Sequence, residues 1–292
     1  MRVLIVGASG FVGTALRGAF GPTCSGTYFQ HAEPDLLPLD IRDRQAVEGL
    51  VGEIQPQLII HPAAQPHVDW CEDHVDESYA VNVAGTLNVA HAARAVGARY
   101  FFFSTDYVFD GAAGPYGEQA SPRPLNVYGR HKLEAEQRVA EVLPDHLIIR
   151  VCGVYGWEKQ AKNYVMGLLA RSRRGEKTTP PSDQWGNPTY ADNLAEAVCE
   201  LATLPASGVL HVVGPEYLDR VRFSRLICEV FDLDPALLQP KTTAELYQRA
   251  ARPLRGGLDT TKARSLLKTR LISPREGLQR MRQRLQAEGI LP

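Results

Sequence analysis

Short apolar runs that break at glycine or proline alternate, in the first half of the chain, with longer stretches whose apolar residues recur every three or four positions. Residues 2–6, RVLIV, form a β-branched run that stops at Gly7 and predict a buried strand. FVGTALRGAF follows, with Val12, Leu16 and Phe20 at helical spacing. QLIIHPAA (57–64), ARYFFFST (98–105) and DHLIIRVCGVYG (145–156) predict three more buried strands. DESYAVNVAGTLNVAHAARAVG (76–97) predicts one long helix closed by Gly97, and residues 128–143 predict another. Strands alternating with helices imply βαβ units, and right-handed crossovers then give an α/β, doubly wound parallel (Rossmann) sheet.

Beyond residue 157 the pattern loosens. PPSDQWGNPTY (180–190) reads as a turn-rich loop, ADNLAEAVCELATL (191–204) as an amphipathic helix and GVLHVVG (208–214) as a short strand. Helical stretches are predicted at 222–232 and 274–288. No internal repeat or glycine/proline-marked linker divides the chain.

Composition narrows the function classes. The 292 residues are 44% hydrophobic and 22% charged, with a net charge of −1. That balance offers no bulk electrostatic attraction to nucleic acid or an anionic membrane. No apolar run approaches the ~20 residues a membrane helix needs, and the N-terminal run reads as a strand, not a signal peptide. The five cysteines are scattered, with no C-x-x-C, which argues against a disulfide framework or a zinc site and for a reducing cytoplasm. No metal is expected.

GASGFVG places Gly7, Gly10 and Gly13 between the first strand and the first helix. Glycines there let the backbone approach a pyrophosphate, whose charge the helix N-terminus favours. The spacing is G-x-x-G-x-x-G, not the G-x-G-x-x-G of the standard fingerprint. An acid about 20 residues later would bind the ribose 2′-hydroxyl of NAD. Tyr28, Phe29, Gln30 and His31 stand there instead, and Glu33 comes late. This puts NADPH ahead of NADH, with His31 near a 2′-phosphate, although no arginine nearby enforces it. Asp40, followed by Ile41, has two readings: acceptor for the adenine amino group, or helix N-cap. The expected organisation is a dinucleotide-binding domain over 1–152 and a smaller interwoven α/β substrate lobe over 153–292, with returns of the chain to the first domain.

The strand FFFST ends in Ser104 and Thr105, at the sheet edge where open α/β sheets bind ligands. NVYGRHKLEAE then sets Tyr128 and Lys132 one helical turn apart. A phenol with a pKa near 10 needs help to move a proton at pH 7. A lysine ammonium and a nicotinamide cation both supply it by stabilising phenolate. Thr105 can donate to a substrate carbonyl oxygen, and Lys132 to the nicotinamide ribose.

Taken with VDWCEDHVDESYAVNVAGTLNVA, STDYVFDG, SDQWGNPTY and ARPLRGGLDTTKA, these motifs resemble the extended short-chain dehydrogenase/reductases, more narrowly the dTDP-4-dehydrorhamnose reductase branch. The methionine adenosyltransferase regulatory β subunit also resembles this branch, which keeps a non-enzymatic partner role open. The resemblance implies a 4-keto-6-deoxy sugar nucleotide reduced at C4 by NADPH or NADH. It implies Tyr128 as proton donor, Thr105 as carbonyl partner and Lys132 as tuner of Tyr128. Gly10, Phe11 and Val12 would line the pyrophosphate, Asp40 and Ile41 the adenine, and Ala63, Ala64 and Gln65 the middle of the cofactor. Asp106 would contact the sugar. Tyr107 after Asp106 departs from the acid pair of the sugar-nucleotide dehydratases. A homodimer through the helices at 76–97 and 128–143 would follow many relatives.

Two positions leave the branch pattern. Gly153, in RVCGVYG, stands where the rhamnose reductases carry a substrate tryptophan, with Trp157 the nearest stand-in. HPAAQ replaces the usual Asn-Ala-Ala-Ala start. Arg252 is a candidate for the diphosphate, with a structural salt bridge the alternative. Asn82 reads as a support for a proton path or as helix packing. RSRRG (171–175) reads as a diphosphate contact or a basic helix end. The cluster of His67, Asp69, Glu72, Asp73 and His74 reads as a solvated loop and helix start more readily than as a metal site.

Overall fold

The computed structural model describes residues 1–290. Its main sheet has seven strands: β1 (Val3–Ile5), β2 (Cys24–Tyr28), β3 (Leu37–Pro38), β4 (Leu58–His61), β5 (Arg99–Thr105), β6 (His146–Val151) and β10 (Gly208–His211). Their order is β10-β6-β5-β4-β1-β2-β3, and every pairing is parallel. The central strands read as unbroken apolar runs because both faces are covered. On one face α1 (Phe11–Phe20) and α8 (Ala191–Leu201) bring Leu16, Leu194 and Val198 against Ile5, Ile60, Phe101 and Ile149. On the other, α2 (Arg44–Ile54), α5 (Thr86–Val96) and α6 (Val127–Val142) bring Val51, Val89 and Val139 against Leu4, Ile59, Tyr100 and Phe102.

The chain runs outward from β1 to β3, then crosses back to β4 on β1's other side. That reversal opens a crevice at the carboxyl ends of β1 and β4, the place where such sheets bind ligands.

Two predicted elements come out differently. The strand expected over 145–156 stops at Val151, and β7 (Val154–Tyr155) leaves the sheet to pair with β9 (Thr189–Tyr190). Gly153, at φ 53°, makes the break. The helix expected over 76–97 is interrupted. After α3 (Val68–Asp73) come α4 (Val75–Tyr79), a π-turn at Ala80–Gly85 and then α5. The Asn82 amide there holds both the N–H and the C=O of Gln65, at 2.9 and 3.1 Å, and the Thr86 hydroxyl donates to the Asn82 carbonyl at 3.0 Å. Such π-turns are frequent at functional sites.

A third core lies outside the sheet. It packs α7 (Tyr164–Arg173), α9 (Arg220–Phe231) and α12 (Pro274–Ala287) around Tyr155 and Tyr190 through Leu168, Phe223, Ile227 and Met281. β8 (Trp185–Gly186) pairs with β11 (Leu218–Asp219). The short helices α10 (Thr243–Leu246) and α11 (Thr261–Leu266) complete the elements.

Candidate active site

Tyr128 sits in the first turn of α6, and two side chains fix that turn. Asn126 caps it, accepting from Gly129 N–H at 2.8 Å and donating to the Ala251 carbonyl at 2.8 Å. Glu72 of α3 accepts the Val127 N–H at 2.7 Å. Together they satisfy N–H groups that a helix start leaves orphaned. At Gly129 a Cβ would lie 2.2 Å from the Tyr107 carbonyl oxygen, so only glycine lets α6 press against the end of β5.

Thr105 ends β5. Its hydroxyl accepts from Tyr107 N–H at 3.2 Å and faces Asp106 Oδ1 at 3.3 Å, and it favours ionisation of the Tyr128 phenol. The Tyr107 ring meets the Tyr128 ring edge-on, with centroids 6.0 Å apart. Lys132, one turn below Tyr128, is 2% exposed and holds its Nζ 3.9 Å from the centre of the Phe102 ring.

Two concavities flank Thr105. A groove of about 400 Å³ is lined by Gly7, Gly10, Phe11, Val12, Gly13, His31, Ala63, Ala64, Ser104, Tyr128 and Lys132. Asp40 and Ile41 line an apolar slot that shares Gly7, Phe29, Ala63 and Ala64 with it. Gln65 is set apart, clamped by Asn82. Asp40 is not the cap of α2; Asp43 is, accepting from Ala46 N–H. At Gly13 a Cβ would lie 2.1 Å from the Gly7 carbonyl oxygen, so the turn closes only on glycine. Gly10 caps α1 with no side chain. The first-turn N–H groups of α1 therefore stay available to an anion, and the groove residues fit a dinucleotide.

The second concavity is a cleft lined by Asp106, Tyr107, Cys152, Gly153, Trp185, Arg220 and Phe223. Ser104 faces the groove and Asp106 faces the cleft, with Thr105 between them. The Cys152 thiol donates to Asp106 Oδ2 at 3.0 Å, and Gly257 N–H approaches the same oxygen at 3.4 Å. The cleft's aromatic wall comes from Trp185 in the DQWGNPTY loop. Trp157 packs instead in the third core, under the Arg284 guanidinium.

Arg252 is not among the residues lining the cleft, although its charge reaches Tyr107 there; its Nη2 donates to Asp69 at 2.8 Å and its buried Nη1 has no hydrogen-bond partner among the described residues. The acidic segment is a set of clamps: Asp69 holds Arg252 and Ala250 N–H, Glu72 holds α6, and Asp73 pairs with Arg249. No metal-binding cluster occurs among the described residues. In RSRRG, Arg171 donates to Thr178 and Arg174 pairs with Glu176 at the end of α7.

Burial dominates the electrostatics. It drives the Tyr128 phenol well above its ordinary pKa, aided by the Asp106 charge and opposed by the Thr105 hydroxyl. Burial also raises the Asp106 carboxyl. The Lys132 ammonium is pushed down to about 7 by burial, with Glu136 pulling the other way. His61, at the end of β4, drops to about 3 through burial and the nearby Lys132 charge. Its Nδ1 shares a short hydrogen bond with the Tyr100 hydroxyl, and its Nε2 has no partner.

Lys132 has a measurable consequence for the ligand-free protein. Between pH 7 and about 10.5 the unfolded chain keeps a proton that folded Lys132 has released. Stability therefore rises with pH across that window, by on the order of 1 kcal/mol per pH unit at most. Lys132→Met should flatten the rise, as read from urea midpoints at a series of pH values. Equal slopes for the two proteins would show that Lys132 stays charged when folded.

With this geometry in place, comparison with known proteins becomes informative. Residues 1–287 match the RmlD substrate binding domain. The chain belongs to that family. Among solved structures, the RmlD-family chain superposes on dTDP-4-dehydrorhamnose reductase from Bacillus anthracis, crystallised with NADP. The TM-score is 0.89 at 32% identity, covering 97% of this chain and 99% of that one. The Clostridium acetobutylicum orthologue gives a TM-score of 0.89 at 30% identity, covering 98% and 100%. Among curated sequences, the RmlD-family chain is 30% identical over 275 residues to the methionine adenosyltransferase 2 subunit beta of Bos taurus, covering 91% of this chain and 82% of that protein.

Several site features were not read from the sequence. Glu72 and Asn126 as holders of α6 and Trp185 as cleft wall all depend on pairings between distant segments. Glu136 had a local signal: it continues the Tyr128–Lys132 stripe by one more turn.

Proposed function

We propose that this RmlD-family protein is an NAD(P)H-dependent reductase of a 4-keto-6-deoxy sugar nucleotide, with Thr105, Tyr128 and Lys132 as its catalytic residues. The observation that carries this reading is the place of Tyr128 and Lys132 on the wall of the groove that fits a dinucleotide, with Thr105 between that groove and the cleft that Asp106 lines. A bound nicotinamide cofactor supplies the hydride. Thr105 donates to the carbonyl oxygen and holds it beside the phenol. Tyr128 gives its proton to that oxygen as it becomes an alkoxide, a role typically worth about 10²–10⁴ in rate. Lys132, when protonated, stabilises the phenolate left behind and can donate to the ribose of the cofactor. Asp106 faces the sugar from the cleft floor.

Family membership and the NADP-bound Bacillus anthracis relative support the reading. So does the 32% identity to the probable low-salt glycan biosynthesis reductase Agl14 of Haloferax volcanii, over 271 residues. The test is loss of NADPH absorbance on mixing with dTDP-4-keto-6-deoxyhexose. Turnover at typical enzyme rates is expected. Bound cofactor with no turnover on dTDP-, UDP- or GDP-linked keto sugars would sink the proposal.

A second reading is favoured by the similarity to the adenosyltransferase β subunit, which matches that to the reductases in extent. In it the fold is a cofactor-binding regulatory partner. Co-purification with an adenosyltransferase catalytic subunit and a change in that subunit's rate would select it. The complete Thr105–Tyr128–Lys132 set favours the reductase.

A further inference from the structure

The groove and slot decide more than that a dinucleotide fits. A cofactor whose adenosine ribose has a free 2′-hydroxyl is usually held by a carboxylate near the end of the second strand. Three carboxylates follow the second strand closely, Glu33, Asp35 and Asp40, and two of them are engaged. Glu33 is ion-paired with Arg17. Asp40 accepts from Arg42 Nε and Nη2, at 2.6 Å in the closer contact. Asp35 lines a separate cavity with Arg17 and Cys24. Among the described residues, no unpaired carboxylate lines the groove or the slot, where a ribose diol would lie.

A cation stands there instead. Arg42 lines the slot together with Phe29, Asp40 and Ile41. Its guanidinium lies 5.2 Å from the centre of the Phe29 ring, and Phe29 is a wall common to slot and groove. One edge of the guanidinium binds Asp40. Nη1, on the other edge, has no hydrogen bond among the described residues, and the side chain is 43% exposed. Arg42 is thus held in one place by a carboxylate and a ring while part of its donor set faces outward. A phosphate monoester matches such a site, because guanidinium donors pair with its oxygens in a fixed fork. His31, in the groove beyond Phe29, adds a second donor.

We propose that Arg42 reads a 2′-phosphate on the adenosine ribose, so that the chain prefers NADPH to NADH. The inference rests on the groove holding a dinucleotide, as in the function proposed above. Asp40 then acts as the anchor of Arg42, in addition to facing the adenine slot.

The test uses two cofactor fragments, 2′-phospho-ADP-ribose and ADP-ribose, titrated calorimetrically into the full chain. The wild type is expected to bind the phosphorylated fragment at least about ten-fold more tightly. Arg42→Met keeps a hydrocarbon against Phe29 and removes the donors. It should bring the ratio close to one while ADP-ribose affinity stays within about two-fold. Arg42→Lys, which keeps the charge without the fork, should retain part of the preference. Equal weakening of both fragments by Arg42→Met would mean that Arg42 only shapes the slot, and the proposal fails. A wild type that does not distinguish the fragments overturns it as well. Failure of both fragments to bind would overturn the dinucleotide reading itself, and the two failures are told apart by whether ADP-ribose binds.

Discussion

Tyr128→Phe should lower turnover of a keto-sugar nucleotide by about 10²–10⁴ while leaving cofactor affinity within a few-fold. The ring's surroundings survive the change. Its edge-on contact with Tyr107 needs no hydroxyl, and the Asn126 and Glu72 bonds that fix the start of α6 are to backbone. What disappears is the acid. No other group is placed to replace it: the Thr105 hydroxyl is a weaker acid, and the Asp106 carboxyl lies on the cleft side, bound by Cys152. Rate under saturating substrate and affinity from cofactor fluorescence separate the two effects. Turnover within three-fold of wild type would remove Tyr128 from the chemistry. Loss of cofactor binding along with rate would assign it a structural part instead.

Arg150→Met is expected to cost about 3–5 kcal/mol, a large share of the ~5–15 kcal/mol that holds a typical domain together. Arg150 on β6 donates to both oxygens of Glu136 on α6, at 2.9 and 2.6 Å, and both side chains are 4% exposed. The guanidinium also lies 5.1 Å from the centre of the Phe109 ring and approaches His211 of β10. Removing it leaves the Glu136 charge buried without its hydrogen-bond partner. Glu136→Gln combined with Arg150→Met removes both charges and should regain at least half of the loss. Denaturant midpoints for the singles and the double measure this. A single-mutant cost below about 1 kcal/mol would mean that the pair is not buried as described.

Where local pattern reaches, the sequence and the fold agree. Strands β1, β4 and β5 and the glycine turn are legible because each is a continuous segment with one period or one spacing. The stripe Tyr128–Lys132 is legible for the same reason. The break at Gly153 was hidden because Val151 to Tyr155 is apolar enough to continue a strand; the departure follows from the pairing of Val154 with Thr189 of β9, far along the chain. The π-turn was hidden because an extra residue in a helix scarcely alters its periodicity, and its cause, the Asn82 clamp on Gln65, is tertiary. Arg42 is not legible as a slot residue because the fold brings it from the loop after β3, not from the segment after β2 where a 2′-phosphate partner is expected.

The place of β10 bears on how the chain is made. Strand β6 is complete at Val151, but β10, which covers its outer side, begins at Gly208. On a ribosome emitting ~5–20 residues per second, that edge waits several seconds for its partner, its backbone groups unpaired. Arg150, on the waiting strand, sets a charge beside Leu147, Ile148 and Ile149, interrupting an apolar run of the kind that favours pairing between chains.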